Sequence, residues 1–146
     1  MEEHKTRISI KGILLFAAIL GAAAALRFVA LDKSMWVDES TSYVIAGQKT
    51  AGAVIGLASK NYTAHPPLYY LLAHYWFAVF GKSLICLRIL SVVFGLLWVA
   101  MMYPAATAIF KKSSTGFAAM AIAALSPFAV YISQIGRMYS MLTFLT

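Results

Sequence analysis

The sequence predicts an all-α fold: a polytopic membrane helical bundle of three to four apolar segments, with two short surface helices in the first outer loop. Three observations carry this expectation. Of 146 residues, 62% are apolar and 12% are charged, against roughly 45–50% and about 25% in an ordinary soluble chain. The mean hydropathy is +0.79. The apolar residues also fall in long uncharged runs, at 12–26, 66–81, 89–110 and 117–135. A soluble globular domain and a disordered tail are both excluded on these grounds. The net charge of +7 then speaks of loop orientation and anionic headgroups. No basic stripe or nucleic-acid fold signature interrupts the runs, so nucleic acid is not among the expected partners.

The first span is placed at 12–31, after a short basic start with Lys5, Arg7 and Lys11. Twenty residues at about 1.5 Å each cover about 30 Å, enough for one crossing. A basic start before an apolar run also fits a cleaved signal peptide, with the alanines at 22–25 as the cleavage site. The same small residues suit close helix packing in lipid. Residues 32–64 form the one sizeable polar segment and are read as the outer loop. Stretches 38–47 and 50–59 are its two short helices, each opened by a capping residue and ended at Gly or Asn. Trp36, Tyr43 and Tyr62 would sit at headgroup level.

Residues 66–81 open with two prolines, are rich in aromatics, and form either an interfacial helix or a span. Residues 89–110 and 117–135 are spans, with Pro104 and Pro127 as interruptions and Lys111-Lys112 between them. If 66–81 crosses, there are four crossings. If it does not, there are three, and both basic clusters face the cytoplasm. The positive-inside rule favours three. The chain is still apolar over 141–146, so the expectation is the N-terminal membrane part, 1–146, of a longer protein.

Functional expectations start from the scarcity of acid. Glu2, Glu3, Asp32, Asp38 and Glu39 are the only carboxylates, and none follows Ser40. Adjacent Asp38 and Glu39, just beyond the first span, are a solvated helix start or a base with an orienting partner. His65, held by Pro66 and Pro67, can donate to a phosphate oxygen, or join Asp38 on a divalent metal; the residues do not require a metal. Arg88 and Arg137 stand between apolar runs, where an arginine often snorkels. With three crossings, however, both share a face with Asp38, Glu39 and His65, and guanidinium suits phosphate. That constellation describes a site for a phosphorylated lipid. The single Cys86 is read as a small packed hydrophobe, and His74 as a packed or interfacial side chain.

The motifs in order are Trp36-x-Asp38-Glu39, then His65-Pro-Pro-Leu-Tyr-Tyr-Leu-Leu-x-His74-x-Trp76, then Phe80-Gly-x-Ser-x-x-x-x-Arg88. The last is Ala124-Leu-Ser-Pro-Phe-x-Val-Tyr-x-Ser-Gln-x-x-Arg137-Met-Tyr. From about Leu14 onward the chain resembles the N-terminal part of a GT-C glycosyltransferase of family 39, the protein mannosyltransferase and aminoarabinose transferase kind. The resemblance implies a multi-pass enzyme, expected in the plasma membrane. It would transfer a sugar from a polyprenyl-phosphate donor to a protein, lipid or glycan acceptor on the extracytoplasmic side, with inversion. It also implies that Asp38 is the essential acid with Glu39 beside it, and that His65, Arg88 and Arg137 serve the donor phosphate. One departure stands out. Many relatives read Ser-Gln-Glu-Ala-Arg where this chain has Ser133-Gln134-Ile135-Gly136-Arg137, so a second acid is missing.

The residues agree with that chemistry. A departing phosphate needs electrostatic stabilisation and an acceptor hydroxyl needs a base, and one working carboxylate suffices because the phosphate leaves without protonation. Two other classes fit in part. A transporter or flippase half for an anionic lipid would use the proline-interrupted helices, but would place its ionisable groups mid-span. An inactive membrane scaffold fragment needs none of the motifs.

Overall fold

A computed structural model of the protein describes residues 9–29, 31–60 and 66–146. The described residues form eight helices and no strand. They are α1 (Ile10–Phe28), α2 (Val37–Ala46), α3 (Ala51–Lys60), α4 (Leu68–Phe80), α5 (Leu84–Phe110), α6 (Ser113–Leu125), α7 (Pro127–Ser133) and α8 (Tyr139–Leu145).

Two helices, α1 and α5, are long and apolar enough to cross a membrane alone, and α6 with α7 passes the same test only as a pair, bent by 60°. At 13 residues, α4 covers about 20 Å, too little for the hydrocarbon core. The apolar segment expected at 66–81 is thus a short helix. Exposed Ile10, Ile13, Leu14, Leu15, Leu26 and Phe28 line α1, as expected of a helix whose outer surface meets lipid. Ser9 starts α1 by accepting from Gly12 N–H at 3.2 Å, and Ser83 starts α5 by accepting from Cys86 N–H at 3.1 Å, each meeting one of the free donors of a first turn. Helix α5 runs through Pro104 and stops at Lys111, whose φ of 55° ends it in the left-handed region.

Pro127 does more than kink the third span. It has no N–H for Ala123 four residues earlier, so α6 ends and α7 restarts with proline in its first turn, capped by Ser126. The carbonyls left open at the end of α6 are served from α1. Arg27 donates through Nη2 to Ala123 O at 3.3 Å and through Nη1 to Ala124 O at 3.1 Å. Its Nε donates to Ser133 Oγ at 3.3 Å. Arg27 is wholly buried and takes no carboxylate partner among the described residues. A lone buried charge is costly, and here the carbonyls and the negative end of the α6 dipole offset that cost. In return Gln134, just past α7, donates to Leu26 O and Val29 O at the end of α1, at 3.0 and 2.8 Å. Gly95 lets α5 approach this joint, because a Cβ there would collide with the Ser133 side chain.

Two cores lie along α5. Ala23, Val99, Met120, Ala123 and Ala124 pack α1, α5 and α6 together through small residues, the mode of association available in lipid. At the start of α5, Ile45, Val54, Tyr69, Tyr70, Phe77, Leu87, Met138 and their neighbours gather α2, α3, α4 and α8. Buried Cys86 belongs to this second core, in the packing role expected of it. His74 donates from Nδ1 to Ala46 O at 3.0 Å and so ties α4 to α2.

The direction of the chain follows from the contacts. Phe16 meets Tyr103, and Tyr103 meets Phe117, so the start of α1 lies with the end of α5 and the start of α6. Lys11, Lys111 and Lys112 therefore share one end of the bundle. Arg27, Arg88, Arg137 and the loop acids share the other.

Candidate functional site

The acidic end is built on the first turn of α2, where Asp38 and Glu39 diverge by about 100° around the helix. Glu39 turns inward and is buried, at 1% exposure, while Asp38 is exposed. Arg88, one turn into α5, meets Glu39 with a two-pronged contact, Nε to Oε1 at 2.8 Å and Nη2 to Oε2 at 2.6 Å. The same carboxylate accepts from Gly136 N–H at 2.7 Å and from Trp36 N–H at 3.1 Å. The last of these closes the N-terminus of α2, where Trp36 offers no side-chain cap.

Burial by itself would raise the Glu39 carboxyl. The Arg88 fork, the Gly136 and Trp36 N–H groups and the Arg88 charge outweigh it, and hold the carboxyl below its ordinary value. Arg88 spends its remaining donors on the link after α1, with Nη1 to Leu31 O and Lys33 O, both at 2.7 Å, and Nη2 to Ser34 O at 3.1 Å. All five N–H groups of this guanidinium are thereby engaged.

Arg88, expected at the donor phosphate, here directs all five N–H groups to Glu39 and the loop carbonyls, and Glu39, expected beside Asp38, here accepts four hydrogen bonds. Together they fasten the loop after α1, the start of α2 and the start of α5 into one unit.

Arg137 is placed differently. It is buried at 6% exposure, and Nη1 donates to Asp38 O at 3.0 Å and Ser42 Oγ at 3.4 Å. Its Nε is buried without a partner. Ser91 Oγ, from α5, donates to Arg137 O at 3.2 Å and fixes the segment from behind. The Asp38 carboxylate enters no ion pair among the described residues. His65 lies outside the described residues, and so does the Asp38–His65 metal pair. Among the described residues no three His, Cys, Asp or Glu side chains converge.

Beside this cluster a small recess, lined by Lys33, Ser34, Trp36, Glu39, Arg88, Tyr131, Gln134 and Ile135, opens to solvent. It adjoins a larger apolar groove of about 410 Å³ between α7 and α8, with Tyr131 and Ile135 common to both. Sequence reasoning gave no part to Lys33, Gln134, Gly136 or Ser42. The spacing Ser133-Gln134-x-Gly136-Arg137 was the available signal, because every one of those residues contacts α1 or α2.

Fold and site together define a multi-pass membrane protein whose described acids, with Arg88 and Arg137, collect at one end of a helical bundle. A family model described as dolichyl-phosphate-mannose-protein mannosyltransferase matches residues 64–146, more than half of the chain. The chain belongs to that family, and with it to the membrane glycosyltransferases of the GT-C type. No curated protein and no solved structure matches it.

Proposed function

We propose that the chain carries the acid and the phosphate-facing part of a site that transfers a sugar from a polyprenyl-phosphate donor, with inversion, on the extracytoplasmic side of the plasma membrane. The observation that carries the reading is the division of the acid pair. Glu39 is consumed by Arg88, while Asp38 is exposed and is gripped through its main chain by Arg137. A base must be free to take a proton and yet be held in place. Asp38 meets both conditions and Glu39 meets one.

In the reaction the acceptor hydroxyl oxygen bonds to the sugar C1, and the C1–O bond to phosphate breaks. The bonding pair leaves on the phosphate oxygen, and the hydroxyl proton passes to the Asp38 carboxylate. Arg137, with an unpartnered Nε, and Lys33, at the rim of the recess, offer positive charge to the departing polyprenyl phosphate. By the resemblance, His65 is proposed to serve the same phosphate. The apolar groove between α7 and α8 would take the first part of the polyprenyl chain. Lysines gathered at the opposite end support an outside position for the acidic end, by the positive-inside rule.

The test supplies a polyprenyl-phosphate sugar and an acceptor to membranes containing the protein, and reads both the transfer and the anomeric configuration of the product. Transfer with inversion is expected. Retention of configuration, or export of the intact lipid without transfer, would replace this reading with another.

A further inference from the structure

We propose that the lysine end of the bundle holds one anionic phospholipid, its acyl chain in a recess between α1, α5 and α6 and its phosphate on Lys11, Lys111 and Lys112. The recess measures about 190 Å³, is open on one side, and is lined by Gly12, Ile13, Phe16, Tyr103 and Phe117, with no polar group in its wall. Phe16 and Phe117 flank Tyr103, with ring centroids 5.9 and 4.5 Å from it. This site is remote from the acidic end and independent of the function proposed there.

An apolar recess facing lipid accepts any acyl chain, so the headgroup decides the occupant. Lys11 precedes the recess-lining Gly12 directly. The Tyr103 hydroxyl meets Ser113 Oγ at 2.9 Å, which brings the mouth of the recess to the residue after Lys112. Lys11, Lys111 and Lys112 are all exposed, and none forms an ion pair among the described residues. The described acids Asp32, Asp38 and Glu39 follow α1 and so stand at the opposite end. Charge complementarity therefore selects a phosphate-bearing lipid with net negative charge over a zwitterionic one. The left-handed turn at Lys111 sets the two adjacent lysines at the very end of α5, where ammonium groups reach headgroup level.

The experiment reconstitutes the full chain in nanodiscs of phosphatidylcholine with a minor fraction of phosphatidylglycerol, then counts retained lipid by native mass spectrometry. One phosphatidylglycerol per chain is expected, in preference to phosphatidylcholine. A combined Lys11→Gln, Lys111→Gln and Lys112→Gln variant should lower that retention by about tenfold or more. Ile13→Trp, which fills the recess without changing charge, should do the same. Loss in the glutamine variant with normal retention in Ile13→Trp would mean diffuse surface attraction, and would overturn the site. Loss only in Ile13→Trp would mean an uncharged occupant, and would overturn it equally. If either variant fails to fold, the unaltered protein decides: phosphatidylglycerol with a photoreactive acyl chain should label Phe16, Tyr103 or Phe117. Labelling spread evenly over the exposed face of α1 would refute the proposal.

Discussion

Arg137 holds Asp38 by its main chain: Nη1 lies 3.0 Å from the Asp38 carbonyl oxygen, while the Asp38 carboxylate faces solvent. A salt bridge between the two side chains would have tied up the carboxylate that the proposed reaction needs. A main-chain grip fixes the helix start and leaves the acid free. Glu39 shows the opposite solution one residue later, and the contrast between neighbours makes separable predictions.

Arg88→Lys should fail as a structural change. Lysine brings three N–H donors on one atom, where the structure uses five in a planar fork across Glu39, Leu31, Lys33 and Ser34. Breaking a buried pair typically costs about 3–5 kcal/mol. The expected outcome is a large fall in folded yield and thermal stability in detergent, with an unchanged KM for donor in the protein that survives. A normal melting temperature with a raised donor KM would return Arg88 to the phosphate.

Acid should undo the same joint. The Glu39 carboxyl lies below its ordinary value in the folded protein, so its pairing contributes stability in full above the unfolded value of about 4.3. That contribution fades as pH falls through the lower, folded value. Melting temperature against pH should drop on the acid side for the natural chain. In Glu39→Gln it should start lower and lack this acid-side component. Parallel curves would show that other groups govern the acid transition.

How much of this was legible in sequence depends on the range of the interaction. Run lengths and caps are local, so 38–47 and 50–59 anticipate α2 and α3 to within about a residue, and 66–81 anticipates the short α4. Which of two adjacent acids is buried is not local. It is settled by Arg88, 49 residues further on, and both acids satisfy every short-range rule for a first turn. Arg27 follows the uncharged run 12–26 with no local partner in the sequence. Its use becomes legible only once Pro127 is seen to leave the end of α6 without donors, 96 residues away. The missing acid in Ser133-Gln134-Ile135-Gly136-Arg137 is a local feature of the sequence, whereas the N–H that Gly136 supplies to Glu39 is not.

The Arg27 joint makes its own prediction. Arg27→Leu leaves the carbonyls of Ala123 and Ala124 without their side-chain donor, at about 1–3 kcal/mol for each group left unsatisfied. Gly95→Ala should weaken the same joint from the other side, by forcing Ser133 away from Arg27. Combined, the two should cost less than the sum of the singles, because each disrupts one shared contact. Chemical unfolding of the three variants in detergent measures this, and strict additivity would show that Gly95 and Arg27 act apart.

The direction of the bundle can be read by labelling. Single cysteines at Ser40 and Ser113, in a Cys86→Ser background, stand at opposite ends of the bundle. An impermeant thiol reagent should label position 40 from outside intact cells and leave position 113 untouched until the membrane is opened. Labelling of both from outside would demand another crossing between them and would restore four spans, with α4 as the added one.

The decisive prediction concerns Asp38, because the chain offers so few carboxylates and the structure leaves this one unspent. Asp38→Asn keeps the side-chain shape and disturbs no hydrogen bond of the joint, since Arg137 holds the main-chain oxygen and Glu39 closes the helix start. Folding and membrane insertion should therefore be normal. An amide cannot take up the acceptor proton, and loss of a general base typically costs about 100- to 10,000-fold. Transfer from a polyprenyl-phosphate sugar should fall by that order in kcat, with little change in donor KM, because Asp38 acts on the acceptor. Glu39→Gln should differ in kind, lowering folded protein more than the turnover of each folded molecule. Asp32→Asn, exposed beyond the end of α1, should be close to silent in both measurements. If Asp38→Asn turns over normally at matched expression, the exposed acid is only part of a solvated helix start. The proton would then have to go to a group outside the described residues, with His65 the first to test.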